Sequence, residues 1–527
     1  MADGFDLRDM PWIPVRWDDG SAARCGLREL FRRAHEIVDI ELPVPPAASG
    51  LLRILAAMTA RIARDGDGVR LDDEDAAEEA VDWLELRERI LARGRFDPEA
   101  VDAYLDDEVP AGRWDLFDPV RPFLQEPRLD RECTDGQGRP NPSGVNKLVF
   151  GRPTGVNGAV MFGHFTDSEP VAVPAGEAVW HLIAQLYYGP SGQCTPRRIT
   201  DVKPGNGDAG PLRKAVSYHP WGRELFTSLV LGVPAPGDTG SPDAVDACPW
   251  EAPELPDPLG PVSEPGWPGG LLTGRFRHAV LLVPSTDRSE VVDAYITWST
   301  HEPKPASRDP YVILDRDKDG RLEARAADGT RALWRDVDAL LLKDTGQSSL
   351  RPHCLSDLPA RLRPVLSVRA YGFDQDGQQK DTTWFEATTP PVLQWQEEAD
   401  PQMARHLARC HQTAEEVGTR LDFAARLAWK TATDSTAAQA DKVRLDRRKP
   451  GPWARMAMGR YWVAAEREFW RLAHPDQLDV PALPVLVDAA LAALDEAIGP
   501  ANRADIRVAR ARTRARGAVR ALLRTDA

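Results

Sequence analysis

Apolar residues recur along the chain with two different periods, and the changes of period mark its organisation. Helical spacing covers 26–39 and 46–64, where Leu51, Leu52, Leu55 and Met58 share one face of the second helix. An acidic helix is expected over 74–94 and another starts at 98–107. Further helices are expected at 175–188 and at 220–232, the latter through Trp221, Leu225, Leu229 and Leu231. From 271 to about 390 the period becomes two, which predicts strands at 276–284, 291–298, 311–315, 321–326 and 366–371. Helical spacing returns over 401–432, 436–446, 452–473, 480–498 and 501–524, with Pro450, Pro452, Pro475 and Gly499-Pro500 as punctuation. Four main helices joined by short loops predict an antiparallel bundle.

The chain opens on an extended segment, 5–16. Ile13 and Val15 alternate with other residues, Trp12 supplies an apolar anchor, and Pro11 and Pro14 forbid a helix interior. Proline cannot donate to a ladder, so an edge strand is expected, closed by the turn Asp18-Asp19-Gly20. Residues 114–125 are aromatic and broken by proline, an ordered loop packed on a core. The stretch 126–160 is irregular, and such a long stretch is either disordered or functional, while 202–211 is a Gly/Asp/Pro loop and 234–270 a proline-glycine loop with Trp250 and Trp267. At 527 residues the chain exceeds a single core. The fold class expected is α+β: a mixed N-terminal domain of helices and small antiparallel sheets over 1–393, and a C-terminal four-helix bundle over 394–527.

Composition narrows the function classes. No apolar run approaches the roughly 18–20 residues of a membrane span, and Asp3 and Asp6 replace a basic leader. Six scattered cysteines without a Cys-x-x-Cys pair point to reduced thiols in a cytoplasm. His406 and Cys410, four apart on a helix, are the best metal pair, but no second pair completes a site. The run Asp315-Arg316-Asp317-Lys318-Asp319-Gly320 imitates a calcium loop. Ala326 stands where a bidentate Glu is needed, so an Asp-Gly hairpin is expected there instead. No catalytic motif, metal site or cofactor fingerprint is found.

Net charge is −15, which globally disfavours nucleic acid, but a local patch decides phosphate contact. Residues 506–524 carry seven arginines and no acid. Arg503, Arg507, Arg510 and Arg514 stack on one helix face, Arg516, Arg520 and Arg524 line a flank, and Val508, Ala515, Ala518, Val519 and Leu522 lie opposite. Two readings follow: a phosphate-binding surface, supported by Arg444, Arg447, Arg448 and Lys449 in the same domain, or a face paired with Asp495 and Glu496.

Several motifs, in order along the chain, carry a resemblance. They are Pro11-Trp12-Ile13-Pro14-Val15; Phe117-x-Pro119-x-x-Pro122-Phe123-Leu124-Gln125; Asn146-Lys147-Leu148 through Phe162-Gly163-His164-Phe165; Ala184-Gln185 then Gly189-Pro190-Ser191-Gly192; Gly210-Pro211-Leu212-Arg213 leading to Trp221-Gly222-Arg223; and Tyr371-Gly372-Phe373-Asp374-Gln375. Their shared order resembles the large subunit of the type I-E CRISPR surveillance complex Cascade, the CasA family. The sequence departs from that pattern in having Gly189 and Gly192 rather than consecutive glycines, and Asp374 where asparagine is expected.

The resemblance implies a non-catalytic subunit of an RNA-guided antiviral defence complex. It would read the protospacer-adjacent motif, help open duplex DNA, and form the platform for a recruited helicase–nuclease. Its partners would be the guide-RNA-containing Cascade subunits and double-stranded target DNA, with no cofactor, metal or membrane. The DNA-contacting residues implied are Phe162 and His164 in a flexible loop, Gly189, Ser191, Gly192 and Gln193 in a glycine loop, and Asp374 and Gln375 at a hairpin wedge. To these the residue pattern adds Arg507, Arg510 and Arg514. Gln375 also reads as an ordinary polar turn. Two rival classes stand beside this: a hydrolase with a tryptophan-lined cleft, suggested by sixteen Trp and many carboxylates, and a scaffold without DNA contact.

Overall fold

The computed structural model describes residues 4–66, 83–154, 164–199, 205–236, 244–301, 309–343, 349–376, 380–434, 445, 449–499 and 506–524. They fall into two compact units, one comprising 1–332 and 346–394, the other 333–345 and 395–527. The mixture of helices with small antiparallel sheets is the α+β class expected from the sequence, and the second unit is helical.

The first unit opens with β1 (Ile13–Trp17), β2 (Ala22–Cys25), α1 (Leu27–Arg32) and β3 (Ile37–Ile40). The strand order is β2-β1-β3, so the proline-bearing strand is central and the expectation of an edge is overturned. The reason is register. The Pro14 carbonyl accepts from the Glu41 N–H at 2.9 Å, one residue beyond β3, so the missing proline donor falls where the ladder has already ended. The turn at Gly20 forms as expected, with φ +85°. The helix expected over 26–39 stops at Arg32, because β-branched Ile37 and Ile40 are drawn into pairing with β1.

Helix α2 (Pro45–Gly66) starts on two prolines and is buried on every side up to Ala63, a fully surrounded helix. It carries two buried arginines. Arg53, with no exposed surface, donates to both Asp309 oxygens at 2.8 and 3.0 Å and to the Ser217 hydroxyl at 2.8 Å. Arg61 pairs with Asp246 at 2.8 Å and Glu251 at 3.1 Å. After α3 (Trp83–Arg93) and α4 (Pro98–Asp102), the loop at 114–125 packs inward as expected, with Trp114, Leu116 and Phe123 buried. Of the acidic helix expected over 74–94, residues 74–82 lie outside the described residues. Short helices α5 (Leu129–Glu132) and α6 (Val145–Leu148) interrupt the irregular stretch before β4 (Val173–Pro174) and α7 (Ala175–Tyr188).

Beyond α7 come β5 (Gly192–Gln193), β6 (Asn206–Gly207), β7 (Val216–Trp221) and α8 (Leu225–Gly232). Trp221 therefore ends a strand instead of starting a helix. Following α9 (Gly269–Thr273), β8 (His278–Pro284) and β9 (Glu290–Trp298) form a hairpin. β10 (Leu314–Arg316) and β11 (Leu322–Ala324) turn at Gly320, φ +78°, as the Asp-Gly signal predicts. β12 (Ser349–Leu350) joins them. Finally β13 (Ser367–Gln375) lies between β14 (Asp381–Thr388) and β7. The sequence reading misses β14, because most of it is exposed and its apolar alternation is missing.

In the second unit a short helix α10 (Val337–Leu341) precedes α11 (Pro401–Thr433), α12 (Pro452–Leu472), α13 (Ala482–Ile498) and α14 (Ile506–Arg520). The helix expected at 436–446 lies outside the described residues apart from 445. Asp400 caps α11 by accepting the Met403 N–H at 2.9 Å. His406 and Cys410 are buried: His406 Nε2 donates to the Leu472 carbonyl at 3.0 Å, and no metal-ligating cluster occurs among the described residues. Arg335 grips Glu415 at 2.7 and 2.9 Å and lies 3.6 Å over the Trp462 ring. His411, 6% exposed, sits between Asp338 at 3.3 Å and Glu415 at 3.4 Å.

These buried charges have measurable consequences. Asp309→Ala leaves Arg53 uncompensated and is expected to cost ~3–5 kcal/mol in urea unfolding of the full chain; a loss below ~1 kcal/mol contradicts this. For His411, burial alone would lower the pKa, but Asp338 and Glu415 outweigh it and raise it to about 9. The stabilisation is therefore complete below the unfolded value near 6.5 and is lost as pH rises through 9. Its upper bound is ~3 kcal/mol. Thermal melts from pH 6 to 10 should show this decline in the parent chain and a flatter profile in His411→Gln.

Candidate nucleic-acid interface

Helix α7 ends because the chain meets Gly189-Pro190, and the glycine is there for space. A Cβ on Gly189 would fall 2.6 Å from the Gln185 carbonyl oxygen and 2.7 Å from His278 Cε1. His278, at the start of β8 and 4% exposed, donates from Nε2 to the Pro190 carbonyl at 3.0 Å. Burial pushes its pKa down to about 4, with Lys147 and Arg213 pushing the same way, so the ring is neutral in ordinary buffers. The Gly189 carbonyl accepts from the Gly210 N–H at 2.9 Å. Gly192 turns the chain at φ +112°, where only glycine is unstrained, and with Gln193 pairs against Asn206 and Gly207. Gln193 is exposed; Ser191 and Gly192 are half-buried.

A second segment meets the same helix end. Gln185, 3% exposed, donates its amide to the carbonyls of Lys147 at 2.8 Å and Leu148 at 3.1 Å. Lys147 is half-buried, burial lowers its pKa, and it has no carboxylate in ion-pair reach among the described residues. Arg152 donates to the Val171 carbonyl at 2.6 Å and lies 4.3 Å over the Phe165 ring. His164 is exposed, and Phe162 lies outside the described residues.

The hairpin of β13 and β14 is the third segment. Phe373 packs on Tyr188 of α7, on Phe150 and on Trp384, at ring separations of 6.2, 5.6 and 5.6 Å. Gly372 is required because the Phe385 ring lies across it, 2.1 Å from where a Cβ would stand. Asp374 accepts the Gly329 N–H at 3.3 Å. Gln375 does not form the hairpin tip: it is 6% exposed, opposite Asp381, and donates its amide to Asp381 Oδ1 at 2.8 Å. The tip lies beyond it, where the Asp376 N–H meets the Lys380 carbonyl at 2.9 Å. Loop, glycine turn and hairpin thus converge on the last turn of α7. Among the predicted residues Gly189, Ser191, Gly192, Gln193, Asp374 and Gln375 flank that point. The sequence reading misses the anchoring roles of Gln185 and His278, whose partners are carbonyls that leave no sequence signal.

The arginine helix belongs to the second unit and is described by itself. Ala511, Ala515, Val519 and Leu522 form its buried side. Arg507 and Arg510 are exposed and Arg514 is half-buried. Asp495 is engaged by Arg516, whereas Glu496 is engaged by Arg460 of α12 at 3.0 Å, so acid pairing, one of the two readings, accounts for Arg516 of the flank. Arg503, Arg444, Arg447 and Arg448 lie outside the described residues.

The tryptophans serve packing: Trp12, Trp114, Trp250 and Trp334 are fully buried. A cavity of about 440 Å³ beside Phe123, Trp250 and Phe276 includes Glu126, which is already paired with Arg128 at 2.5 Å and Arg197 at 3.1 Å. No helix among the described residues is long and apolar enough to cross a membrane.

The family described as CRISPR-associated protein Cse1 matches residues 6–498. A chain of a solved CRISPR RNA-guided surveillance complex is 42% identical with a TM-score of 0.81, the match covering 98% of this chain and 99% of that one. A chain of a CRISPR RNA-guided surveillance complex described as pre-nicking is 40% identical, TM-score 0.73, covering 98% of each. Thermus thermophilus CasA (Cse1) shares the fold at 21% identity and a TM-score of 0.71, covering 99% of each chain. Among curated proteins none matches. With a family match spanning almost its full length, the chain belongs to the CRISPR-associated Cse1 (CasA) family.

Proposed function

We propose that this chain is the large subunit of an RNA-guided surveillance complex, reads a short motif beside the target, and helps open the duplex there. The observation that carries this is the convergence at the end of α7 of a glycine turn held by His278, the Lys147 segment held by Gln185, and the β13–β14 hairpin. A turn whose Gly189 and Gly192 lack side chains brings backbone donors close to a groove. A half-buried lysine without a carboxylate partner among the described residues, in a protein of net charge −15, suits a phosphate. The surveillance complexes that contain its 40–42% identical relatives supply the setting.

In this reading base pairing with a guide reads the target, while protein reads only the flanking motif and starts the opening. Backbone contact in a minor groove discriminates bases weakly, so several related motifs are tolerated. Asp374 and Gln375 act at the turn end of the hairpin, which enters beside the first pair, and His164 with Phe162 extends the contact from the neighbouring loop. Arg507, Arg510 and Arg514 hold duplex or displaced strand without sequence preference. The subunit acts without a cofactor in the cytoplasm, with guide-RNA-containing subunits as partners, and is the platform for a helicase–nuclease.

Gel shifts with reconstituted complex, with and without this chain, test the reading. Duplexes with and without the flanking motif should separate only when the chain is present; equal binding in both cases overturns it. Gly189→Val, which drives a side chain into His278 and the Gln185 carbonyl, should erase that preference by roughly tenfold, ~1.4 kcal/mol. Changing Arg507, Arg510 and Arg514 together to Gln should weaken all duplexes alike. The log–log salt slope should fall by about 0.9 for each phosphate that is no longer neutralised.

A further inference from the structure

We infer that Arg213 is a positioning residue that couples the glycine turn to the strand-opening hairpin, an inference that rests on the function proposed above. Its side chain is 3% exposed and spans the two segments. Nη1 donates to the Tyr188 carbonyl at 3.0 Å, at the last residue of α7 before Gly189. Nε donates to the Asp376 carbonyl at 3.0 Å, at the hairpin tip, and Nη2 to Asp381 Oδ1 at 2.9 Å, on the returning strand. The same Asp381 oxygen accepts the Gln375 amide at 2.8 Å, so the turn end of the hairpin ladder is cross-braced from both strands.

The planar guanidinium is suited to this because one rigid fork meets three acceptors 25 and more residues away in sequence. Lysine, a single ammonium on a flexible stem, cannot hold the three directions together. Arg213 itself is reached through Gly210, whose N–H fixes the Gly189 carbonyl, and the Arg213 N–H closes that turn onto the Gly210 carbonyl at 3.0 Å. A displacement of the glycine turn by DNA therefore moves the Tyr188 carbonyl, Arg213 and both sides of the hairpin as one body. Docking on the motif and pressing on the first base pair become a single event.

The test uses the reconstituted complex carrying Arg213→Met, Arg213→Lys or Asp381→Ala, the last a substitution at a partly exposed surface position that removes the carboxylate shared by Arg213 and Gln375 without touching the core. Opening is read by 2-aminopurine fluorescence at the first base pair, and binding is measured on both an intact duplex and one pre-opened by mismatches. All three variants should keep the motif preference, open the intact duplex at least ~10-fold less readily, and bind the pre-opened target within about twofold of the parent. Unchanged opening in the variants overturns the inference, as does a pre-opened target bound as poorly as the intact one. A parent complex with no motif preference overturns the underlying reading, and the coupling falls with it.

Discussion

The buried pair of Arg53 and Asp309 fixes the frame on which everything else in the first unit is hung. A guanidinium without exposed surface is intolerable unless its charge and its donors are met. Here two carboxylate oxygens, the Ser49 carbonyl and two serine hydroxyls meet them. That requirement pins α2 to β7 through Ser217 and to the chain entering Tyr311. It also seats α7, whose Tyr188 hydroxyl donates to Ser49 at 2.9 Å. Gly50 lets the two helices close up, since a Cβ there would meet Ile183 at 2.5 Å. Where α7 lies decides where its last turn points, and the glycine turn begins there.

Much of this architecture was legible in the sequence because local signals agreed with burial. The bounds of α7 follow from an apolar run stopped by Gly189-Pro190, and the Asp319-Gly320 hairpin from turn chemistry. What misled was tertiary pairing. Pro14 reads as an edge residue until β3 is seen to end one residue short of its missing donor. Ile37 reads as helix until it is seen to pair with Trp17 of β1. Strand β14 is invisible because its exposed positions carry no apolar alternation, yet it determines that Gln375 is paired inside the ladder and is not the tip. The arginine helix was legible as a face, whereas the engagement of Glu496 by Arg460 depends on two helices meeting.

The charge distribution carries a second lesson. Acids outnumber bases by 81 to 66, and most buried or half-buried arginines are consumed internally: Arg28 by Asp102 and Asp106, Arg197 by Glu126 and Glu132, Arg369 by Asp39. Against that background a partly desolvated cation with no acid beside it among the described residues stands out. Lys147 is such a group, and the glycine turn lies across Gln185 from it. Global charge describes solubility and long-range repulsion, while a site is set by which cations the fold leaves unneutralised.

The magnitudes explain why a coupling arginine must be buried. Opening a base pair costs a few kcal/mol, which no isolated surface ion pair, at ~0–1 kcal/mol, can transmit. A charge-assisted hydrogen bond in a desolvated place is worth about 1.5–3 kcal/mol, and leaving its buried acceptor unmet costs as much again. Of the three Arg213 bonds, those to the Asp376 carbonyl and to Asp381 end on exposed acceptors, so solvent weakens them more than the bond to the Tyr188 carbonyl. Under the function proposed above, the hold of the glycine turn on the hairpin therefore depends on all three bonds acting together through one planar group.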